Sequence, residues 1–158
     1  MKITEQDLFA DASHLIISNL IQDWEWLLAD SYKPFRISSF GDMFLKDKEG
    51  MVFILQTDFA NLKPIANTSE EFYQNCSLKE NLEDWFMIDL ILEKKQSGIE
   101  LKKGCVFSYI KPPILGGNHE SDNFEQTAME VHFSLLGQIH EKVKDLPDGT
   151  RVHSIKFK

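Results

Sequence analysis

Histidine has the most versatile side-chain chemistry in this sequence, because imidazole can bind metals and transfer protons. There are five histidines, and His132 and His140 lie eight residues apart, which on a helix separates them by about 80°. A zinc pair on a helix needs both rings on one face, as a spacing of four residues provides. His119, followed by Glu120 and Asp122, lies in a polar segment that could add oxygen ligands. No spacing matches a known metal site, so we expect structural or surface histidines and no bound metal.

Motifs for nucleophilic catalysis and phosphate binding are missing from the sequence. There is no GxSxG elbow, and Cys76 and Cys105 lie far apart in no recognisable catalytic context. Gly116-Gly117 is followed by Asn-His-Glu instead of the lysine and serine that hold phosphates. These glycines therefore indicate close backbone packing or an unusual turn. We expect no catalytic residues, no cofactor, no small-molecule ligand and reduced cysteines.

Asp89 is the most unusual carboxylate, because its spacing from Trp85 and Leu92 places it on an otherwise apolar helix face. A carboxylate buried there needs a partner, such as a backbone amide or a tryptophan N–H. One carboxylate does not form an acid/base pair, so we interpret Asp89 as structural. An enzyme with a site around His119, His132 and Asp89 is the alternative hypothesis.

The composition indicates a folded, acidic protein. The 158 residues are 42% hydrophobic, with 12 phenylalanines and 3 tryptophans, which excludes a disordered chain. The net charge of −8 argues against nucleic acid or an anionic membrane as a partner and favours a basic protein. Many proteins, however, are acidic only because this keeps them soluble. The first residues lack the basic start and apolar stretch of a signal peptide, and no apolar run reaches the roughly 20 residues of a membrane span. We expect a cytoplasmic protein.

The hydrophobic periodicity predicts the elements of the first half of the chain. Apolar residues at helical spacing predict one helix over 5–29, which ends before Pro34. Three strands are expected to follow as a meander, with Pro64 at an edge or a bulge; they span 43–45, 51–55 and 62–66. Capping-box spacings at Thr68 and Ser77 predict two further helices, the second reaching about residue 95 and stopping at Gly98.

The second half of the chain is expected to alternate strands and a helix. We predict strands over 104–109 and 151–157, an irregular crossing over 111–117, and a helix over 132–144. Local strand pairs with separate helices indicate the α+β class, in which a small antiparallel sheet packs with several helices and an N-terminal helix leads into the β-meander. We expect a single domain over 1–158, composed of an N-terminal helical segment (1–30) and a main part (31–158).

Several segments, in order, resemble a known family. They are Trp24-Glu25-Trp26-Leu27-Leu28, Phe40-Gly41-Asp42 with the strand after it, Pro112-Pro113-Ile114-Leu115-Gly116-Gly117, the stretch HFSLLGQIH over 132–140, and the turn over 144–150. Across about residues 20–155 the chain resembles the C-terminal domain of the Tdi-type immunity proteins of type VI secretion systems, first described as a domain of unknown function. Members protect a bacterium from its own secreted DNase toxin. Only about 20 residues precede the likeness, so the resemblance implies the short version that lacks most of the GAD-like N-terminal domain.

The resemblance implies an immunity protein that binds a cognate toxin, a basic nuclease, and occludes its active site. A nuclease presents positive charge to phosphates, so an acidic inhibitor can compete for the same surface. We expect exposed loop acids to make the contacts: Asp42, Asp47, Glu49, Asp58, Glu120 and Asp122. The same acids could instead be solvated loop charges. A protein-binding adaptor or scaffold without a toxin partner is the second functional hypothesis.

Overall fold

The N-terminal segment of the computed structural model, which describes residues 2–158, contains three short helical pieces. They are helix α1 (Glu5–Leu8), a 3₁₀ helix (Ile17–Trp24) and helix α2 (Glu25–Leu28). The predicted single helix over 5–29 is therefore wrong in its continuity. After α1 the backbone turns to a strand-like bridge, in which Ala10 N–H donates to Ile37 O and Leu8 O accepts from Ser39 N–H, both at 2.9 Å. These bonds compete with continued helix formation.

A four-stranded antiparallel meander follows in the order β1-β2-β3-β4. The strands are β1 (Lys33–Ile37), β2 (Met43–Lys46), β3 (Val52–Gln56) and β4 (Asn61–Ala66). The last three strands and the edge position of Pro64 are confirmed. Strand β1 was not predicted, since Pro34 was interpreted only as the end of a helix. Because β1 is the other edge of the sheet, a residue without an amide hydrogen is tolerated there.

Three helices follow the meander, named α3 (Ser69–Asn75), α4 (Lys79–Phe86) and α5 (Ile88–Gln96). The predicted cap of α3 is confirmed, since Thr68 Oγ1 accepts from Glu71 N–H at 3.1 Å. The predicted second helix is broken at Met87, whose φ is +54°. This break changes the helical phase between Trp85 and Asp89. Asp89 is consequently exposed, and the prediction that it is buried is wrong.

The C-terminal half contains a two-stranded sheet and the longest helix. Strand β5 (Cys105–Tyr109) pairs antiparallel with β6 (Phe124–Ala128), and helix α6 (Met129–Val143) follows directly. Two 3₁₀ turns, Pro113–Leu115 and Ser121–Asn123, lie in the irregular connection. The predicted strand over 151–157 is wrong, because residues 144–158 contain no strand and β5 pairs with β6 instead.

One hydrophobic cluster extends from Leu8 to Leu136 and connects these elements. Helix α6 packs against the 3₁₀ helix Ile17–Trp24, and the indole N–H of Trp24 donates to Phe133 O at 2.8 Å. Phe107 N–H donates to Ser39 O at 2.8 Å and thereby joins β5 to the loop before β2. The α+β class, with an N-terminal helix ahead of the meander, is confirmed.

Candidate functional site: a buried polar cluster and an acidic surface

His132 forms the centre of a buried polar cluster. Its ring is fully buried on α6, with Nε2 at 2.7 Å from Gly41 O and Nδ1 at 2.6 Å from Ser108 Oγ. These partners assign the neutral tautomer, in which Nε2–H donates to the carbonyl and Nδ1 accepts from the hydroxyl. His132 therefore links α6 both to strand β5 and to the loop before β2.

Thr57, directly after β3, connects the second part of the same cluster. Its N–H donates to Asp42 Oδ1 at 2.9 Å, and its carbonyl accepts from His140 Nε2 at 2.8 Å. Its hydroxyl lies 3.0 Å from Gly41 O. Ser38 Oγ in turn accepts from Asp42 N–H at 2.9 Å. Thr57 thus contacts Asp42 and both α6 histidines, His132 and His140.

Burial determines the proton affinities in this cluster. Loss of hydration raises the pKa of Asp42 to about 8, and the nearby charges of Asp58 and Asp84 act in the same direction. Burial lowers the pKa of His132 to about 4 and also lowers that of His140. A carboxylic acid and neutral imidazoles are the forms that an enclosed site favours.

This cluster is not arranged as a site for a substrate. His132 is enclosed, and both of its nitrogens are engaged by protein groups. His119 and Asp89 are both exposed, and no hydrogen bond among residues 2–158 joins either of them to His132. The three residues of the alternative enzyme hypothesis therefore lie in separate surroundings. We interpret the buried cluster as a cross-link between elements.

Glycines explain why the sequence segments that showed the family likeness fold together. A Cβ on Gly41 would lie 2.2 Å from His132 Nε2, so only glycine allows this approach. A Cβ on Gly117 would lie 1.7 Å from Lys111 O, and one on Gly137 would lie 2.6 Å from Asp23 O. The FGD, PPxLGG and HFSLLGQIH segments are thus close-packing points. Of the pair predicted to allow close packing or an unusual turn, Gly117 provides the close packing and Gly116, with φ at +95°, the turn.

The six acids proposed as contact residues separate into three groups. Asp42 is only 6% exposed, so the expectation that it is an exposed loop acid is wrong. Its carboxylate points inward because Thr57 N–H binds it across the sheet end. Asp47 and Glu49 lie in the β2–β3 turn, where Asp47 Oδ1 accepts from the backbone N–H groups of Glu49 and Met51.

Of the remaining three acids, Asp58 lies at the opposite end of β3, about 15 Å away along a five-residue strand, and Glu120 and Asp122 lie in the connection that reaches Asp58 through His119. Asp58 follows β3, and its Oδ2 accepts from His119 Nε2 at 3.1 Å. Glu120 and Asp122 are exposed in the connection that contains His119. The structure therefore joins the β3–β4 turn to this connection, although the two are about 60 residues apart in sequence.

An exposed aromatic ring lies in this second acidic region, and sequence reasoning did not select it. Phe59 is 55% exposed in the β3–β4 turn, and its ring centroid lies 6.3 Å from that of His119. Its N–H donates to Asp58 Oδ1 at 2.8 Å. The sequence did contain a signal for Phe59, because it is a large aromatic residue in the short connection between two predicted strands. Such a connection offers little core in which to bury the ring. We name Asp58, Phe59, His119 and Glu120 the Phe59 surface.

No three His, Cys, Asp or Glu side chains among residues 2–158 come together in a way that could hold a metal ion. No helix in this range is both long enough and apolar enough to cross a membrane.

Comparison with known families identifies one match. Residues 66–140, just under half of the chain, match the family model described as "T6SS immunity protein Tdi1, C-terminal". A comparison with curated proteins gives no match. The resemblance is confirmed over 66–140, which includes the PPxLGG and HFSLLGQIH segments; the FGD segment lies outside the matched range.

Proposed function

Because residues 66–140 match the C-terminal family of type VI secretion immunity proteins, we propose that this protein binds and neutralises a cognate secreted toxin of a bacterium. The family match is the observation that supports the proposal. It covers α3 to α5, both strands of the smaller sheet and most of α6, including His132 and His140. We propose that the whole chain acts as one domain, since one hydrophobic cluster includes both Leu8 and Leu136.

The charge of the protein supports a basic partner. With a net charge of −8, the protein attracts a toxin that presents lysines and arginines, as a DNase must do to bind phosphates. We propose that five loop acids contact this toxin and occlude its active site: the exposed Glu49, Glu120 and Asp122 and the half-buried Asp47 and Asp58. Asp42 is left out of this set because its carboxylate is buried and held by Thr57. A stable interface of this kind buries about 1,600 Å² in total.

The proposed mechanism is stoichiometric binding in the cytoplasm, without catalysis by the immunity protein. The enclosed His132 supports this proposal, since a substrate would have to displace both of its hydrogen-bond partners. Steric occlusion needs only a preformed surface and a high affinity. An adaptor or scaffold function, the alternative, would need a partner other than a toxin.

Co-expression with the cognate toxin, sought first in the gene directly upstream, tests the proposal. We expect cells that express only the toxin domain to die and cells that also express this protein to survive. The two chains should elute as one complex on gel filtration. The control is a toxin inactivated at its own catalytic residue, which should still form the complex. If the cells die equally with and without this protein and no complex elutes, the immunity function is excluded, and an adaptor function becomes the better hypothesis.

A further inference from the structure

The Phe59 surface combines an exposed aromatic ring with carboxylates on a rigid support. The turn is fixed by the bond from Phe59 N–H to Asp58 Oδ1, and the second loop is fixed by the bond from His119 Nε2 to Asp58 Oδ2. The ring of Tyr109, which is buried, contacts His119 from below at 5.7 Å between ring centroids. Little conformational freedom is therefore lost when a partner contacts this surface, which favours tight binding.

The connection that presents Glu120 is also held rigidly. Asn123 Oδ1 accepts from Lys111 N–H at 2.9 Å, and its Nδ2 donates to Lys111 O at 2.9 Å and to Asn118 O at 2.7 Å. One buried amide thus bridges both ends of the loop that contains His119 and Glu120. The backbone that carries His119 and Glu120 is consequently fixed.

Carboxylates lie on both sides of the turn that carries Phe59. Asp58 and Glu120 belong to the surface, and Asp84 lies at the same sheet end, where its carbonyl accepts from Gln56 Nε2 at 3.0 Å. Lys63 pairs with Asp84 at 2.7 Å and neutralises it in part. A cationic group that approaches Phe59 therefore meets both a ring face and carboxylate oxygens.

The same combination already binds an arginine elsewhere in this protein. The guanidinium of Arg36 lies 3.9 Å from the centre of the Phe9 ring, and its Nη1 lies 2.8 Å from Glu5 Oε1. Arginine suits this arrangement because its flat, weakly hydrated cation stacks on a ring while its N–H groups bind a carboxylate. The Phe59 surface offers the same two components: the ring of Phe59 is 55% exposed, and Asp58 pairs with His119 Nε2 at 3.1 Å, a contact that an incoming arginine would share or replace.

We infer that the Phe59 surface is the centre of the toxin interface and that it receives an arginine side chain of the toxin, stacked on Phe59 and paired with Asp58. This inference rests on the proposed immunity function and adds the position of the interface and the chemistry of its partner. Interfaces concentrate their binding energy in a few aromatic and arginine contacts surrounded by a polar rim. Phe59 with its neighbouring acids has that composition.

Phe157 provides a matched control for Phe59. It is 47% exposed, close to the 55% of Phe59, but Lys156 and Lys158 flank it, so its surroundings are basic. Replacing either ring with alanine removes a similar exposed area, and neither substitution should affect folding. Only the loss of Phe59 removes the proposed arginine contact.

The experiment measures the dissociation constant between this protein and the catalytically inactivated domain of the toxin that the co-expression test identifies. We expect Phe59→Ala to weaken binding about tenfold or more, as for a central interface residue, and Phe157→Ala to leave it within about twofold. Phe59→Leu retains apolar area without a π face and should also weaken binding. Asp58→Asn keeps an oxygen for Phe59 N–H but removes the charge, so it should weaken binding and reduce the dependence on salt. The melting temperature of each variant verifies that it is folded.

The outcomes separate this inference from the function on which it rests. If the wild-type protein does not bind the toxin domain, the proposed function fails. If the wild-type protein binds and Phe59→Ala binds equally well, only the position of the interface is wrong. If Phe59→Ala weakens binding but Phe59→Leu and Asp58→Asn do not, the surface is an apolar contact and the arginine partner is excluded.

Discussion

Gly41 shows how a single missing side chain determines which elements can meet. Its φ is +85°, and its carbonyl accepts the Nε2–H of His132 at 2.7 Å. His132 cannot move aside easily, because Ser108 holds its other nitrogen in the buried core. The loop before β2 can therefore contact α6 only where no Cβ is present.

We predict that Gly41→Ala destabilises the protein much more than Gly50→Ala. Both glycines have nearly the same positive φ, +85° and +87°, so both alanines have the same backbone strain. A Cβ on Gly50 meets nothing within 4 Å, whereas one on Gly41 would lie 2.2 Å from His132 Nε2. The clash should remove a further 1–3 kcal/mol, roughly, from the free energy of unfolding. Urea denaturation of both variants gives the difference, and equal losses would show that His132 can move at little cost.

The packing of α6 against the N-terminal 3₁₀ helix depends on a second glycine. Gly137 lies inside α6, facing Asp23 and Trp24. Trp26 Nε1 donates to Gly137 O at 3.2 Å, and Ser134 Oγ donates to Asp23 Oδ2 at 2.6 Å. Helix α6 is thus joined by direct hydrogen bonds to the 3₁₀ helix at Asp23 and to α2 at Trp26.

We predict that Gly137→Ala lowers the stability, although alanine is the better helix former. In an open helix this change would stabilise by about 1 kcal/mol. Here the new Cβ would lie 2.6 Å from Asp23 O and 3.0 Å from Trp24 Nε1, so the packing penalty of about 1–3 kcal/mol should exceed that gain. The melting temperature and the tryptophan fluorescence should both change. A higher melting temperature would show that α6 and the 3₁₀ helix can move apart at no cost in stability.

At the scale of elements, sequence patterns predicted the features that depend on residues close together in the chain. The apolar run at Met51–Leu55, the cap at Thr68 and the stop at Gly98 depend on neighbours within a few residues, and each lies where expected. Strand β1 was missed because Lys33–Ile37 is a strand only through its pairing with β2. Strand β6 has only one fully buried residue, Phe124, so its sequence has no strong alternation.

The candidate site was less predictable, because its contacts join distant parts of the chain. Nothing local indicates that Asp42 is buried, since its partner Thr57 lies 15 residues later across the sheet end. The pairing of Asp58 with His119 spans 61 residues. Sequence reasoning selected Asp58 and Glu120 from their type alone, while only the fold brings the connection that carries Glu120 to Asp58.

At the scale of the whole molecule, the buried titratable groups make stability depend on pH in opposing ways. The pKa of Asp42 is about 8 in the folded protein against 3.8 without burial, so between these values the folded state binds a proton that the unfolded state has lost. Stability contributed by this group therefore falls as the pH rises from about 4 to 8. The pKa of His132 falls from 6.5 to about 4, so the unfolded state binds the extra proton over that range and stability rises with pH. The two effects oppose each other below pH 6.5.

Between pH 6.5 and 8 only the effect of Asp42 should remain, and we predict that the wild-type protein loses stability over this range. One proton bound only in the folded state gives a slope of up to about 1.4 kcal/mol per pH unit. Asp42→Asn keeps an oxygen for Thr57 N–H without a charge, so it should flatten this slope and raise the stability at pH 8. Glu49→Gln removes an exposed acid and should leave the slope unchanged. Urea midpoints at pH 6.5 and pH 8 measure all three proteins, and an unchanged slope in Asp42→Asn would assign the pH dependence to another group.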